Sequence, residues 1–410
     1  MLPRFSLRRL LIVLVLGCVL FKLWPVSLFD HKVTHKTLLI NTPQEEIIKK
    51  RPDFIRSNRI EDPEYADGEE AYADTDFLFE EKYWFMVNGT RRPTPTQINP
   101  ITNRRNAKLW PKEDPGQDRI VNQLMYIPPN YDSRNVKKIL LFNALTSWNV
   151  KLGSSMFSNC PVWALYFLEC PYHTQHVAHN DVFNWTATYR SDSDIVTPYE
   201  KWVYYDDRFK QTPIEKMKNY AANKTHKVAW FVSNCGAKNN RLQYAHELSK
   251  YIEVDIYGSC GTKKCPRISK CFRLLDTKYK FYLAFENSNC VDYITEKLYI
   301  NGLSHNVLPI VMGARPEDYK KAAPMNSYIH VDDFPSAKHL AEYLNKLDAN
   351  DTLYNQYFRW KGTGEFVNTF FWCRLCAMVH DSFPIKSYSD INEWWRGGTC
   401  TTGSWRKKQP

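Results

Sequence analysis

Residues 280–314 read KFYLAFENSNCVDYITEKLYINGLSHNVLPIVMGA and hold the residue types best suited to gripping a charged ligand. An apolar run ends at Glu286-Asn287, and a helix is expected to open near Asp292. Aspartate is favoured at a helix N-cap because its side chain accepts N–H groups that the first turn leaves unpaired. Such N–H groups can equally receive a diphosphate. One turn in, Glu296 can accept hydrogen bonds from ribose hydroxyls, and Lys297 offers a compact positive charge to phosphate. An exposed helix with ordinary surface charges explains the pair as well. The second feature is Glu169, which closes the apolar run 162–168. A carboxylate at a strand end facing a cleft can take the proton of an attacking hydroxyl. A structural glutamate in an ion pair is the competing explanation.

Other groupings carry less chemistry. His173, His176 and His179 fall at i, i+3 and i+6, so a helix would turn the third away from the other two, and no carboxylate ligand stands nearby. His246-Glu247 lacks the second histidine of a zinc-protease helix. Cys373-x-x-Cys376 has no second closely spaced pair to complete a zinc site, which favours structural disulfides.

These side chains need a scaffold, and the hydrophobic pattern supplies one. Short apolar runs at 139–142, 162–168, 227–232, 254–258, 281–285 and 308–312 read as buried strands. Helical periodicity follows at 239–252, with Leu242, Ala245, Leu248 and Ile252 on one side, and again at 294–303, 336–347 and 352–360. Strand–helix alternation at this spacing predicts an α/β protein. Two Rossmann-like regions, about 137–215 and 225–365, are expected to face one another across a cleft. Ligands of such sheets bind beyond the carboxyl ends of the strands, where Glu169 and Glu286 fall.

The 410 residues are too many for one ordinary core, and 43% hydrophobic against 24% charged content excludes a disordered chain. A net charge of +11 favours anionic partners, but the basic residues come in pairs rather than long runs interleaved with aromatics, so nucleic acid is not expected. Residues 10–29 are apolar apart from the lysine at 22 and a few polar positions, near the roughly 20 residues that span a bilayer. Arg4, Arg8 and Arg9 precede them, which orients the N-terminus to the cytosol and the rest to the lumen. A cleaved signal peptide is the rival, without a small-residue cleavage site to support it. Four N-x-S/T sequons, at Asn88, Asn184, Asn223 and Asn350, suit a lumenal chain. Eleven cysteines, ten of them outside the apolar segment, suit several disulfides. Residues 30–118 are polar and proline-punctuated, with ten acidic residues between positions 61 and 81, and read as a stem.

The Phe-Glu-Asn-Ser, Asp-Tyr-Ile-Thr-Glu-Lys and Leu-Pro-Ile-Val-x-Gly elements of residues 280–314 resemble the signature of the α1,3/4-fucosyltransferases. The likeness extends over about residues 137–400. It implies a GT-B fold and inverting transfer of fucose from GDP-fucose. By position, Glu296 and Lys297 match residues holding ribose and phosphate, Asn287 and Tyr293 match cleft residues around the nucleotide sugar, and Arg241 matches an arginine pairing with the diphosphate. Residues 169–174 resemble a Glu-Ser-Pro-x-His segment, with Cys170 in place of the usual serine, and this implies that Glu169 is the base. Residues 189–195 resemble a segment lining the same cleft, which makes Tyr189 and Arg190 further cleft candidates, along with Glu286 of the Phe-Glu-Asn-Ser element. Asp192-x-Asp194 has the look of a manganese site, but the likeness sets it on the acceptor side, where basic residues neutralise the donor instead. No metal site is expected. No cofactor enters the chemistry, and stimulation by Mn²⁺ or Mg²⁺ is left open.

On this basis the chain divides into a cytosolic tail (1–9), an anchor (10–29), the stem (30–118), an acceptor-side Rossmann-like domain (119–220), a GDP-fucose-binding domain (221–370) and a disulfide-containing tail (371–410). The segments 235–248, 313–319 and 372–376 resemble the core α1,3 branch, found among invertebrate and plant types. That implies fucosylation of the innermost N-acetylglucosamine of glycoprotein N-glycans by a single-pass Golgi membrane protein. A Lewis-type enzyme acting on antennae and a catalytically silent glycan-binding protein are the alternatives.

Overall fold

The structure is a computed structural model that describes residues 118–125, 134–137, 139–143, 162–265, 271–381 and 386–406. The expected anchor, nearly all of the stem and Asn88 lie outside the described residues. Among those described, no helix is long and apolar enough to cross a membrane.

Two parallel sheets form the scaffold. The first contains β1 (Ile139–Phe142), β2 (Val162–Phe167) and β3 (Trp185–Thr188), in that spatial order. A short strand β4 (Lys201–Tyr204) leads out of it. The second sheet is built from β5 (His226–Phe231), β6 (Val254–Tyr257), β7 (Tyr279–Phe285), β9 (Leu308–Met312) and β10 (Ile329–His330), in the order β10-β9-β7-β5-β6. Between β7 and β9 lies the two-residue β8 (Asn289–Cys290). β11 (Gly364–Val367) returns antiparallel to β4, and β12 (Cys400–Thr401) antiparallel to β8.

The burial of β7 explains why residues 281–285 form an unbroken apolar run rather than an alternating one, with Lys280 at its start paired to Asp348. Phe281, Leu283 and Phe285 point to one face, against Ala245 and Leu248 of α2 (Arg241–Leu248) and a later helix carrying Leu340, Ala341 and Leu344. Tyr282 and Ala284 point to the other, against Ile294, Leu298, Tyr299 and Tyr319. A strand covered on both faces needs apolar residues at every position. α1 (Arg119–Met125) lies on the first half of the molecule, packing Ile120 and Leu124 against Val196 and Val367. α3 (Arg273–Thr277) precedes β7.

Several boundaries differ from the expected ones. The helix expected at 239–252 covers only Arg241–Leu248, because Asn240 takes a left-handed conformation (φ 55°) immediately before it. The helix expected to open near Asp292 does not do so. Asp292 also has positive φ (59°), and Thr295 is the N-cap of α4 (Glu296–Leu298), which continues as a π-helical turn, Tyr299–Leu303. Its start is displaced because the buried Glu286 carboxylate takes the Thr295 N–H and hydroxyl, at 2.8 and 2.9 Å. After α5 (Pro316–Ala322), α6 (Ala337–Asp348) begins where its N-cap Ser336 accepts from the His339 N–H. The helix expected at 352–360 is shorter, α7 (Asp351–Asn355), followed by a 3-10 turn.

The last two helices return to the first sheet. Leu375, Met378 and Val379 of α8 (Phe371–His380) cover Val162, Ala164 and Ala187, while Ile391 and Trp395 of α9 (Ile391–Arg396) cover Leu165 and Phe167. The core that β1–β3 begin is therefore completed from the far end of the chain. Three disulfides form among the described residues: Cys235–Cys260, Cys265–Cys271 and Cys290–Cys400. The third ties β12 to β8 beside the site. Cys170 is a buried thiol, and Cys373 and Cys376 lie on the exposed side of α8.

Candidate active site

Glu169 follows β2 and Glu286 follows β7, so the carboxyl ends of the two sheets' central strands meet. Tyr293 donates its phenol proton across this junction to Glu169 Oε2 at 3.0 Å. The Cys170 thiol approaches Asn287 Oδ1 at 3.9 Å, and His173 Nδ1 lies 3.5 Å from the Ser288 hydroxyl. Tyr199 donates to the Leu168 carbonyl at 3.1 Å. Its phenol is raised from its ordinary pKa by burial and by the surrounding Glu169, Glu286 and Glu296 carboxylates. The structure thus brings Glu169, Asn287 and Tyr293 together and adds Tyr199, for which the sequence offers no signal.

Behind this junction is a compact charge cluster. Glu286 is fully buried. Its carboxylate accepts from Thr295 and ion-pairs with Lys297 Nζ at 3.1 Å, while Lys297 also reaches Glu296 Oε1 at 3.0 Å and Thr295 Oγ1 at 2.8 Å. Burial raises the Glu286 pKa, against the pull of Lys297. For Lys297, burial works to lower the pKa, but the two carboxylates outweigh it and raise it above the usual lysine value. Glu296 shows the mirror effect: burial raises its pKa, and the Lys297 charge and hydrogen bonds bring it below the ordinary carboxylate value. Lys297 is therefore not the isolated point charge that its spacing suggests. It is a cation held at a fixed point by two anions.

Glu286, expected to line the cleft, is instead a structural carboxylate, because it turns inward to cap Thr295. Gly313 makes room for it: a Cβ at that position would lie 2.5 Å from Glu286 Cγ and 2.7 Å from its Cβ. That contact, together with a backbone φ of 154° that side-chain-bearing residues rarely adopt, is the physical reason for the glycine closing the Leu-Pro-Ile-Val-x-Gly element.

Arg241 is 4% exposed. It donates to the Phe285 carbonyl at 2.6 Å and the Asn234 carbonyl at 3.1 Å, with its guanidinium 5.6 Å from the Trp230 ring centroid. Among the described residues Nε has no hydrogen-bond partner. Burial lowers its pKa, partly offset by Glu286. A buried guanidinium bound mainly to carbonyls has charge to spare for an anion.

The remaining candidates take supporting positions. Tyr189 is buried behind the junction, its ring 5.0 Å from Tyr293 and 5.5 Å from Trp395. Arg190 does not line the cleft: it lies over Trp394 at 4.3 Å and pairs with Asp192. Asp194 is buried, accepting from the Thr186 N–H at 2.8 Å and the Tyr388 hydroxyl at 3.0 Å and pairing with Lys386. Its carboxylate is thereby committed to the fold. Of the three histidines, His173 alone reaches the junction, with Nδ1 3.1 Å from Cys170 Sγ. From sequence the cap falls at Asp292 and Thr295 is missed, although a threonine directly before Glu-Lys is an N-cap signal that could have found it.

The chain belongs to glycosyltransferase family 10, the fucosyltransferases: residues 221–394 match the family's C-terminal profile and residues 134–200 the fucosyltransferase N-terminal profile. It is 54% identical over 379 residues to glycoprotein 3-alpha-L-fucosyltransferase A of Drosophila melanogaster, covering 80% of this chain and 75% of that one. With human alpha-(1,3)-fucosyltransferase 4 it shares 39% identity over 242 residues, 57% of this chain and 44% of the relative. A crystal structure of an alpha1,3-fucosyltransferase aligns over 76% of this chain and 99% of its own, at 17% identity and a TM-score of 0.44.

Proposed function

We propose that this protein transfers L-fucose from GDP-fucose, with inversion, to an N-acetylglucosamine of glycoprotein N-glycans in α1,3 linkage, most specifically to the innermost one. The observation that supports the reading is the Tyr293–Glu169 hydrogen bond across the junction, made from the same segment whose Glu286, Glu296 and Lys297 form a charge cluster and whose Phe285 carbonyl holds Arg241. In this mechanism Glu169 takes the proton of the acceptor hydroxyl. The oxygen forms a bond to C1 of fucose as the C1–phosphate oxygen bond breaks, and GDP leaves with the electron pair. Arg241 and Lys297 offset the charge that gathers on the diphosphate. Glu296 faces the ribose, and Asn287 and Tyr293 the sugar. The two sheets then act as the halves of a GT-B enzyme, residues 119–220 on the acceptor side and 221–370 on the donor side. No cofactor is needed in the chemistry.

The innermost-residue assignment rests on the likeness of 235–248, 313–319 and 372–376 to the core branch, and the 54% identity to a relative named a glycoprotein fucosyltransferase supports a glycoprotein acceptor. The apolar segment 10–29 and its preceding arginines support a type II Golgi membrane protein with a lumenal catalytic part. Incubation with GDP-fucose and a panel of defined N-glycans, followed by mass spectrometric location of the fucose, tests the reading. Addition to antennal GlcNAc alone overturns the core assignment, and GDP release with no added fucose overturns transfer.

A further inference from the structure

Asp292 ties the two halves of the molecule one residue before the Tyr293 that meets the base. It stands in the left-handed region, at φ 59°, which aspartate tolerates better than most side chains. Its Oδ2 accepts from the Ser191 N–H at 2.8 Å and the Ser191 hydroxyl at 2.7 Å, both from the loop after β3. Its own N–H donates to Asp318 Oδ2 at 2.9 Å. Asp318 is in turn gripped by Arg315, through Nη2 at 2.7 Å and Nε at 2.9 Å, at the start of α5. One side of the peptide is thus bound to the first sheet's loop and the other to the second sheet's helix. The next residue is Tyr293, whose phenol donates to Glu169 and whose ring packs on Tyr189, two residues before Ser191.

We infer that Asp292 is a positioning residue: bound by Ser191 and backed by Asp318–Arg315, it holds the Tyr293 phenol on Glu169, so that the base keeps one orientation across the cleft. This inference rests on Glu169 as the base. It also gives the 189–195 segment a task other than lining the cleft, because Ser191 carries the link while Arg190 and Asp194 anchor the loop to the C-terminal part of the chain. The Asp292 carboxyl is raised from its ordinary pKa by burial and then by Asp318, which fits a carboxylate that relies on the two Ser191 donors. A reacting group displaced by about 1 Å can lose about a hundredfold in rate.

The test uses the full chain. Asp292→Gly keeps the backbone conformation and removes the acceptor, whereas Asp292→Asn keeps an acceptor oxygen and suits positive φ. Ser191 is exposed, so Ser191→Ala loses one donor without disturbing packing, and Ser191→Thr restores it. Asp292→Gly is expected to lower kcat by roughly 10- to 100-fold, with KM for GDP-fucose and GDP affinity by calorimetry within about twofold. Ser191→Ala should lose several-fold in kcat, and the Asn and Thr variants should retain most of it. Wild-type kcat in both Asp292→Gly and Ser191→Ala overturns the inference, as does a loss that Thr at 191 fails to rescue. Equal losses in GDP affinity and kcat point to a general structural role and overturn it too. Glu169→Gln in parallel separates the premises: retained turnover there sinks the base assignment and this inference with it, while an inactive Glu169→Gln leaves the Asp292 result to decide alone.

Discussion

Gly313→Ala offers a sharp test of the charge cluster behind the site. The added methyl would meet Glu286 Cγ at 2.5 Å and Cβ at 2.7 Å, and the Tyr319 hydroxyl at 3.3 Å. Ordinary carbon contacts are about 3.5–4.0 Å, so Glu286 must move by roughly 1 Å. It has little freedom to do so, because its oxygens are bound to Thr295 at 2.8–2.9 Å and to Lys297 at 3.1 Å. Overpacking alone costs about 1–3 kcal/mol. Weakening hydrogen bonds to a charged group adds about 1.5–3 kcal/mol, and Lys297 keeps Glu296, which holds the sum to the lower part of the combined range. Gly313→Ala should therefore lose about 3–4 kcal/mol in urea unfolding at constant m-value, and GDP-fucose KM should rise as Lys297 and Glu296 shift. A double-mutant cycle with Glu286→Ala, which removes the 2.5 Å contact to Cγ but leaves the 2.7 Å one to Cβ and the φ of 154°, should show partial coupling between the two sites. Destabilisation below about 1 kcal/mol with an unchanged donor KM would refute the cluster as the support of the donor groups.

Glu169→Gln should abolish fucose transfer while GDP still binds; single-turnover transfer at the wild-type rate counts against Glu169 as the base. Lys224 is buried, with its ammonium on the Leu275 and Asn306 carbonyls, and burial lowers its pKa to about 7, with Lys361, Lys280 and Lys218 adding to the effect and Asp276 opposing it. Above pH 7 the folded state binds fewer protons than the unfolded one. Unfolding free energy should accordingly rise with pH towards the ordinary lysine range, by up to about 1.4 kcal/mol per pH unit from this group. Lys224→Met should flatten that slope; parallel stability–pH curves for the two proteins would exclude the effect. In a secretory host, peptide mapping after deglycosylation in heavy-oxygen water should find sugar on the exposed Asn223 and Asn350. Asn184 should be bare, because its amide accepts from the Trp163 N–H at 2.8 Å and donates to the Lys386 carbonyl at 2.9 Å; glycan on Asn184 in folded enzyme would show that reading wrong.

Much of the second sheet was legible because buried strands and amphipathic helices have periods that a sequence displays directly. Residues 308–312 coincide with β9, and Ser336 caps α6 where the apolar periodicity begins. The donor groups were legible as a linear motif, since Glu286, Asn287, Tyr293, Glu296 and Lys297 all lie within twelve residues. Their division of labour was not. Whether a glutamate faces a ligand or a threonine cap depends on where the chain folds back, and Glu286 was assigned to the cleft because no sequence pattern reports that turn. Asp292 was read as a helix cap for the same reason: its partner, Ser191, is 101 residues away.

By itself, then, the sequence determined the α/β class, six of the strands (β1, β2, β5, β6, β7 and β9), the family and the short motifs, all of which depend on interactions between near neighbours or on residue type. Tertiary structure alone decided what lies between distant segments. It brought Trp395 under β2, closed Cys290 on Cys400 and set Tyr293 against Glu169. It also turned Arg190 from an expected cleft residue into an anchor on Trp394, and tied Asp194 to Lys386 in the segment before α9. The physical reason is that burial and pairing choose among chemically equivalent side chains only after the packing of remote elements is set, and a local pattern carries no record of that choice.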